Sequence, residues 1–272
     1  MRGCMKKLVK LILLITLFTL VGCGSSTNTK ESNDNKITIA VRAYPYEDII
    51  EEAKSQLKEE GIDLEVVVLD EANQANDALR DGSVDANYIQ HKQYLDSIAD
   101  EKGYDFEAVA NVHIEPIGFY SEKIKSIDDL KEGSVIAVPD NASNEYRSFL
   151  LLEKYGLIKL GKSASNKTVS VNNIVENPKK LVIKEVDSYQ LPRVLQDVDG
   201  AVINTAIILE AGIDPKTAII KEDSNSPYSN IVAVRKEDKD NEKIKKLAEA
   251  IQSDEVREFI KKKYDGSVIP AF

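Results

Sequence analysis

The spacing of apolar residues changes repeatedly between that of a strand and that of a helix in the first half of the chain. Short apolar, β-branched runs predict strands at 37–41, 64–69, 84–89 and 109–120, the last interrupted at Pro116. Apolar residues on one helical face predict helices at 47–60, 73–81 and 93–102. Gly61 and Gly82 follow the first two helices and favour helix ends. This alternation predicts α/β layers around a largely parallel sheet.

A second round of the same alternation occupies the rest of the chain. It predicts strands at 135–138, 181–183, 200–203 and 231–234, and helical segments at 127–130, 144–155, 189–196 and 236–263. Two unequal rounds indicate two lobes, with crossings near residues 120 and 230. Lobe 1 then comprises 36–120 plus 230–272, and lobe 2 comprises 121–229. Two crossings make a hinge, and the cleft between two lobes is a common ligand site.

The first residues of the chain have the pattern of an export signal. Residues 1–10 carry four basic side chains and no acidic one, and 11–21 is an apolar run broken only by two threonines. Such a run is too short to span a bilayer, which takes about 20 residues. A basic stretch, a short apolar core and a small-residue exit predict a secretory signal peptide at 1–22. The true start, Met1 or Met5, stays open.

The exit of this signal, Leu20-Val21-Gly22-Cys23, resembles the lipobox of bacterial lipoproteins. The resemblance implies cleavage before Cys23 and a lipid on its thiol, which would anchor the protein on the extracytoplasmic face of the cell membrane. A plain signal peptide with a chance cysteine is the alternative. Residues 23–35 are polar and rich in Ser and Asn, so we expect a flexible tether there.

Composition narrows the classes of function. The chain has 46 acidic and 36 basic side chains and a net charge of -10, which argues against nucleic acid as a partner. Its two cysteines, Cys4 and Cys23, both precede the predicted globule, so no disulfide or thiol chemistry is expected there. The two histidines, His91 and His113, have no metal-binding spacing. With no phosphate loop or nucleophile motif, we expect no enzyme, metal or cofactor, although a catalytic triad needs no fixed spacing.

Several segments end predicted strands with polar or aromatic residues, where open α/β sheets place ligand contacts. They and their neighbours resemble the NlpA/MetQ family of methionine-binding lipoproteins, which serve ABC importers. The matching stretches are Asp-Ala-Asn-Tyr-Ile-Gln-His-Lys-Gln-Tyr-Leu at 85–95, Val-His-Ile-Glu-Pro-Ile-Gly at 112–118, Asn144 and Arg147 before a leucine run, Gln-Leu-Pro-Arg at 190–193, Asp-Gly-Ala-Val-Ile-Asn at 199–204, 210–215 and Pro-Tyr-Ser-Asn at 227–230. The resemblance implies a two-lobed fold like that of periplasmic binding proteins.

The same resemblance implies roles for individual residues. Arg147 would hold a ligand carboxylate through its fork of N–H groups, beside Asn144. The side-chain amides of Asn204 and Asn230 would take the α-ammonium and carboxylate. Arg147 as a surface salt bridge and Asn144 as a helix cap are the alternatives.

Aromatic side chains would form the walls of the implied pocket. Tyr88, His91 and Tyr228 would surround the ligand side chain, because sulfur packs well against rings. Glu115 would pair with the ammonium or act as a hinge carboxylate. His113 is interpreted as structural.

Three departures from the family pattern concern the ligand. Tyr44 and Tyr46 stand in a stretch that is usually Gly-rich and carries a histidine, and residues 88–89 are Tyr-Ile rather than two aromatics. Ala206 replaces a second asparagine. Losing that amide costs about 1–3 kcal/mol, or roughly ten- to hundredfold in affinity, unless Tyr44, Tyr46 or Thr205 compensates.

The expected function is therefore that of a monomeric substrate-binding lipoprotein that delivers an apolar amino acid to an ABC permease and its ATPase. Methionine comes first, then a methionine derivative, a short methionine peptide or another apolar amino acid. The alternative is a surface interaction protein, an adhesin or sensor subunit, with an altered pocket on the same fold.

Overall fold

The computed structural model describes residues 35–69 and 71–272, so the predicted signal peptide, Cys23 and nearly all of the tether lie outside the described residues. Its strands are β1 (Lys36–Val41), β2 (Asp63–Val68), β3 (Ala86–His91), β4 (Phe106–Ile114), β5 (Gly118–Tyr120), β6 (Val135–Pro139), β7 (Lys159–Leu160), β8 (Ile174–Glu176), β9 (Val182–Val186), β10 (Gly200–Ile203), β11 (Ile220–Lys221), β12 (Ser229–Arg235) and β13 (Ile269–Pro270). Its α-helices are α1 (Asp48–Glu59), α2 (Ala72–Asp81), α3 (Lys92–Lys102), α4 (Ala142–Lys154), α5 (Leu191–Val194), α6 (Thr205–Glu210), α7 (Glu242–Ile251) and α8 (Asp254–Tyr264).

The strands form two main sheets, and the expectation of an α/β, two-lobed fold is confirmed. The first sheet has the order β13-β4-β12-β3-β1-β2, and the second has the order β11-β5-β10-β6-β9. A separate hairpin joins β7 and β8. Each main sheet, with the helices that pack on it, is called a lobe below.

The expectation of largely parallel sheets is wrong for the first lobe. Strands β1, β2 and β3 are parallel, but β12 runs antiparallel to both β3 and β4. The reason is that β12 enters this sheet from the second lobe, so its direction is not set by a βαβ crossover within the sheet. In the second sheet, β6 is parallel to β9 and β10, whereas β5 is antiparallel to β10.

Helices cover both faces of each sheet, because each face carries buried apolar side chains. On the first sheet, α1, α7 and α8 share one apolar core, and α2 and α3 share the other. On the second sheet, α4 packs on one face, and α5 and α6 pack on the other. Gly200 on β10 leaves room for the ring of Phe119 on β5, since a Cβ there would lie 2.1 Å from that ring.

The predicted strand at 200–203 is followed by a helix that the apolar pattern did not predict, since β10 ends at Ile203 and α6 begins directly after Asn204. The stretch 236–263 is not one helix, since α7 ends at Ile251 and Ser253 caps α8 by accepting the N–H of Val256. Within the described residues, no helix is long and apolar enough to cross a membrane.

Candidate functional site

The chain passes between the two sheets in two short segments. The first is 115–117, between β4 and β5, and the second is 222–228, between β11 and β12. Strand β5 lies in the second sheet, whereas the apolar pattern predicts residues up to 120 in lobe 1. These two segments are called the crossings below.

A cavity of about 100 Å³ lies beside the crossings and is lined by residues of both lobes. Seven of the ten residues predicted to bind the ligand line it: Tyr46, His91, Glu115, Asn144, Arg147, Asn204 and Asn230. Residues from distant parts of the sequence therefore converge on one place.

The other three predicted residues lie outside this lining. Tyr88 is fully buried behind Tyr46, with ring centroids 4.9 Å apart. Tyr228 packs against the ring of His91, and the guanidinium of Arg147 lies 4.5 Å from its ring centroid. Tyr44 packs instead against Tyr264, with ring centroids 5.6 Å apart.

Arg147 is buried, with 2% of its surface exposed, so it is not a surface salt bridge. Its Nε donates to Oε1 of Glu222 at 2.8 Å, and its Nη2 donates to Oε2 of the same carboxylate. Nη2 also donates to the backbone oxygen of Glu115 at 2.8 Å, and Oε2 of Glu222 accepts the N–H of Ile117 at 3.1 Å. The fork expected to hold a ligand therefore binds Glu222 and joins the two crossings.

Asn144 lies in the first turn of α4 but does not cap it. Asn141 is the cap, since its Oδ1 accepts the backbone N–H of Asn144 at 3.1 Å. Oδ1 of Asn144 accepts from Nδ2 of Asn204 at 2.9 Å. Oδ1 of Asn204 is buried without a hydrogen-bond partner among the described residues, which leaves an acceptor available at the cavity.

His91 is held as a neutral ring. Its Nδ1 accepts the N–H of Tyr94 at 3.0 Å, so in the neutral form Nε2 carries the proton and faces Oδ1 of Asn144 at 3.2 Å. Burial, together with the positive charge of Arg147, lowers the pKa of His91 to about 3. His91 therefore donates to Asn144 and presents an uncharged ring to the cavity at neutral pH.

A second group of hydrogen bonds holds Glu115. Its Oε1 lies 2.7 Å from Nε2 of His113, and its Oε2 accepts the N–H of Ala206 at 2.9 Å. Burial favours a higher pKa for Glu115, but the hydrogen bond from His113 and the charge of Arg42 hold the pKa below its ordinary value. Both carboxylate oxygens are used within the protein, as in the hinge interpretation. Tyr46 donates to Oδ1 of Asn230 at 3.1 Å beside this group.

The structure also locates the departures from the family pattern. The side chain of Ala206 packs in the core shared with the first lobe rather than in the cavity lining. The hydroxyl of Thr205 donates to the backbone oxygen of Pro116 at 2.6 Å. Of the three residues expected to compensate, only Tyr46 lines the cavity.

Sequence reasoning missed Arg42, Tyr189 and Ile207, which line the same cavity. Arg42 directly follows β1, so the rule that placed the other contacts at the carboxyl ends of strands would have found it. Glu222 was also missed, because no local pattern indicates that it meets Arg147.

A sequence profile of the NlpA lipoprotein family matches residues 37–272. The chain belongs to the NlpA lipoprotein family. It is similar to the D-methionine-binding lipoprotein MetQ of Escherichia coli K12, with 42% identity over 260 residues that cover 94% of each chain. Matches at this level confirm the family that the sequence motifs indicated.

Two solved structures of related proteins have the same fold. One is a nutrient binding protein from Burkholderia cenocepacia bound to methionine, with a TM-score of 0.83 and 45% identity, covering 87% of this chain and all of that one. The other is a periplasmic substrate-binding protein of an ABC transporter from Coxiella burnetii, with a TM-score of 0.81 and 40% identity, covering 86% of this chain and all of that one. Both of these relatives are named as binding proteins.

Proposed function

We propose that this chain is the ligand-capturing lipoprotein of an ABC importer and that it binds methionine, or a close apolar analogue, in the cavity between its lobes. The observation that carries the proposal is the convergence of seven predicted residues on one cavity beside two crossings. The methionine-bound relative from Burkholderia cenocepacia supports the choice of ligand.

The polar end of the cavity suits an α-amino acid. Asn204 offers a buried acceptor for the ammonium, and His91 and Asn144 place further polar atoms nearby. Because Glu222 occupies the fork of Arg147, we propose that the carboxylate meets the remaining amino nitrogen of Arg147, at the edge of the ion pair. The ligand side chain would then pack against Ile207 and the rings that line the cavity, as a thioether does favourably.

The remaining elements of the proposal concern place and motion. A lipid on Cys23 would keep the protein beside its permease and raise its effective concentration there. The two lobes, joined by the crossings at 115–117 and 222–228, would close around the ligand, and the closed form would dock on the permease. Replacing Cys23 with serine should release the protein from the membrane fraction, and retention there would contradict lipid anchoring.

Isothermal calorimetry with the mature protein in detergent tests the ligand. We expect L-methionine or another apolar amino acid to bind with a Kd below about 100 µM, or about -5.5 kcal/mol. Asn204→Ala should weaken binding by roughly ten- to hundredfold, since it removes the free acceptor. Asn172→Ala, an exposed position away from the cavity, is the matched control. Absence of binding by every apolar amino acid would overturn the proposal.

A further inference from the structure

Arg42 gives the cavity a second guanidinium. It follows β1 directly, is 8% exposed and lines the cavity together with Arg147. The two arginines differ in their partners. Nε and Nη2 of Arg147 both donate to the carboxylate of Glu222. Nε of Arg42, by contrast, is buried with no hydrogen-bond partner among the described residues. A buried donor of this kind is rare unless something else satisfies it.

The surroundings fix the position of this guanidinium across the cleft. Its Nη2 donates to Oε1 of Glu210 on α6 at 2.8 Å. The guanidinium carbon lies 5.8 Å from the ring centroid of Tyr46 and 5.4 Å from that of Tyr189. Arg42 and Tyr46 belong to the first lobe, while Tyr189 and Glu210 follow strands of the second. The unmatched donor is therefore held in place rather than free to turn towards water.

The charges around Arg42 favour a neutral acceptor atom for its Nε–H group. Glu210 already neutralises the positive charge of Arg42, at an ion-pair distance of 2.8 Å. A second carboxylate would add an unbalanced negative charge near Glu210 and Glu115 in a partly buried site. A neutral oxygen, by contrast, satisfies an N–H group without changing the charge.

We propose that Arg42 determines specificity by donating to a neutral oxygen that the ligand carries in addition to its α-carboxylate. The inference rests on the proposed function and deepens it: the preferred ligand is an oxygenated derivative of an apolar amino acid rather than the plain amino acid. The oxygen belongs either to the side chain, as in a sulfoxide, or to an acyl or peptide carbonyl on the amino group.

Calorimetry with three probes tests this assignment on the mature protein: L-methionine, L-methionine sulfoxide and N-formyl-L-methionine. The wild type should bind one of the oxygenated probes at least about tenfold more tightly than L-methionine, the size of one good hydrogen bond. Preference for the sulfoxide would place the oxygen on the side chain, and preference for the formyl compound would place it on the amino group.

Substitutions then ask whether Arg42 causes the preference. In Arg42→Met, the ratio of the L-methionine Kd to the oxygenated-probe Kd should fall to about one. Arg42→Lys keeps the ion pair with Glu210 but lacks the Nε–H, so it should lose the preference too. It replaces Arg42→Met in the test if Arg42→Met fails to fold. Arg80→Met, on the exposed face of α2, should keep the wild-type ratio.

Two results would overturn the inference. One is wild-type protein that binds L-methionine as tightly as, or more tightly than, both oxygenated probes. The other is an unchanged ratio in the folded Arg42 variants. In either case, binding of L-methionine by the wild type would leave the proposed function standing, whereas failure of all three probes and of the other apolar amino acids would remove that function as well.

Discussion

Arg147 and Glu222 lie 75 residues apart in the sequence and form a buried ion pair between α4 and the second crossing. Their side chains are 2% and 13% exposed. Two charges that leave water depend on each other, because removing one leaves the other buried and unbalanced. At the scale of single residues, this pair is the contact whose loss should matter most.

We expect Glu222→Gln to lower the free energy of unfolding by about 3 kcal/mol, because the guanidinium of Arg147 loses its counter-ion. Urea denaturation followed by circular dichroism measures the change. The neighbouring Asp223 pairs with Lys154 at the surface, with 74% and 43% of the side chains exposed. Asp223→Asn is therefore the control, with a change of about 0.5 kcal/mol or less. Equal effects of the two substitutions would contradict the buried-pair interpretation.

His91 links stability to pH. Its pKa is about 3 in the folded protein, against about 6.5 in an unfolded chain. Between these values the unfolded state binds more protons, so stability should fall as the pH drops from about 6.5 towards 3.

His91→Asn keeps a capping acceptor for the N–H of Tyr94 but removes this titration. The slope of the unfolding free energy between pH 6 and 4 should then decrease by up to about 1.4 kcal/mol per pH unit. Denaturation at several pH values provides the measurement. An unchanged slope would mean that His91 titrates normally in the folded state.

At the scale of elements, the start of α4 connects helix capping to ligand binding. Oδ1 of Asn141 accepts both the backbone N–H and the side-chain Nδ2 of Asn144, and its own Nδ2 donates to Ser188. The cap therefore also positions a side chain of the cavity. Ser253 caps α8 in the same way, but far from the cavity lining.

We expect Asn141→Ala to cost about 1 kcal/mol of stability and to weaken ligand binding several-fold, because Asn144 loses its support. Ser253→Ala should cost a similar amount of stability with an unchanged Kd. Thermal unfolding and calorimetry on both variants separate the two effects. If the two substitutions altered the Kd equally, the change in affinity would come from stability rather than from the position of Asn144.

The helices and strands also show where sequence patterns are informative. Gly61 and Gly82 end α1 and α2 as predicted, because each has a positive φ that favours glycine. Thr205 to Ile208 is rich in β-branched residues, a composition typical of strands, yet it is helical, because its apolar side chains pack in two different cores. Propensity over six residues is too weak to oppose such packing.

Contacts between distant segments limited the site prediction in another way. Matches to the family pattern and departures from it together identified seven residues of the cavity lining. The partner of Arg147 and the unpaired Nε–H of Arg42, by contrast, depend on how the two lobes meet. No periodicity in the sequence encodes such a meeting. Arg42 itself could have been predicted from the sequence, because it follows the predicted strand at 37–41 and so lies at the carboxyl end of a strand.

At the scale of the whole molecule, ligand binding should stabilise both lobes together. A ligand that contacts only the folded protein adds about 2.7 kcal/mol at a hundred times its Kd. For a domain of this size, the Tm should rise by about 5–10 °C. Differential scanning fluorimetry with and without L-methionine checks the shift, and L-lysine serves as a non-apolar comparison. Equal shifts with both amino acids would contradict selectivity for apolar ligands.

The bond from Ile117 to Glu222 has a mechanical consequence. Because one carboxylate binds the first crossing and belongs to the second, the spacing between the two connections is fixed at that point. Two connections held at constant spacing resist sliding and twisting and leave rotation about a single axis as the soft motion. In the closure proposed above, one angle would then describe the opening of the cleft.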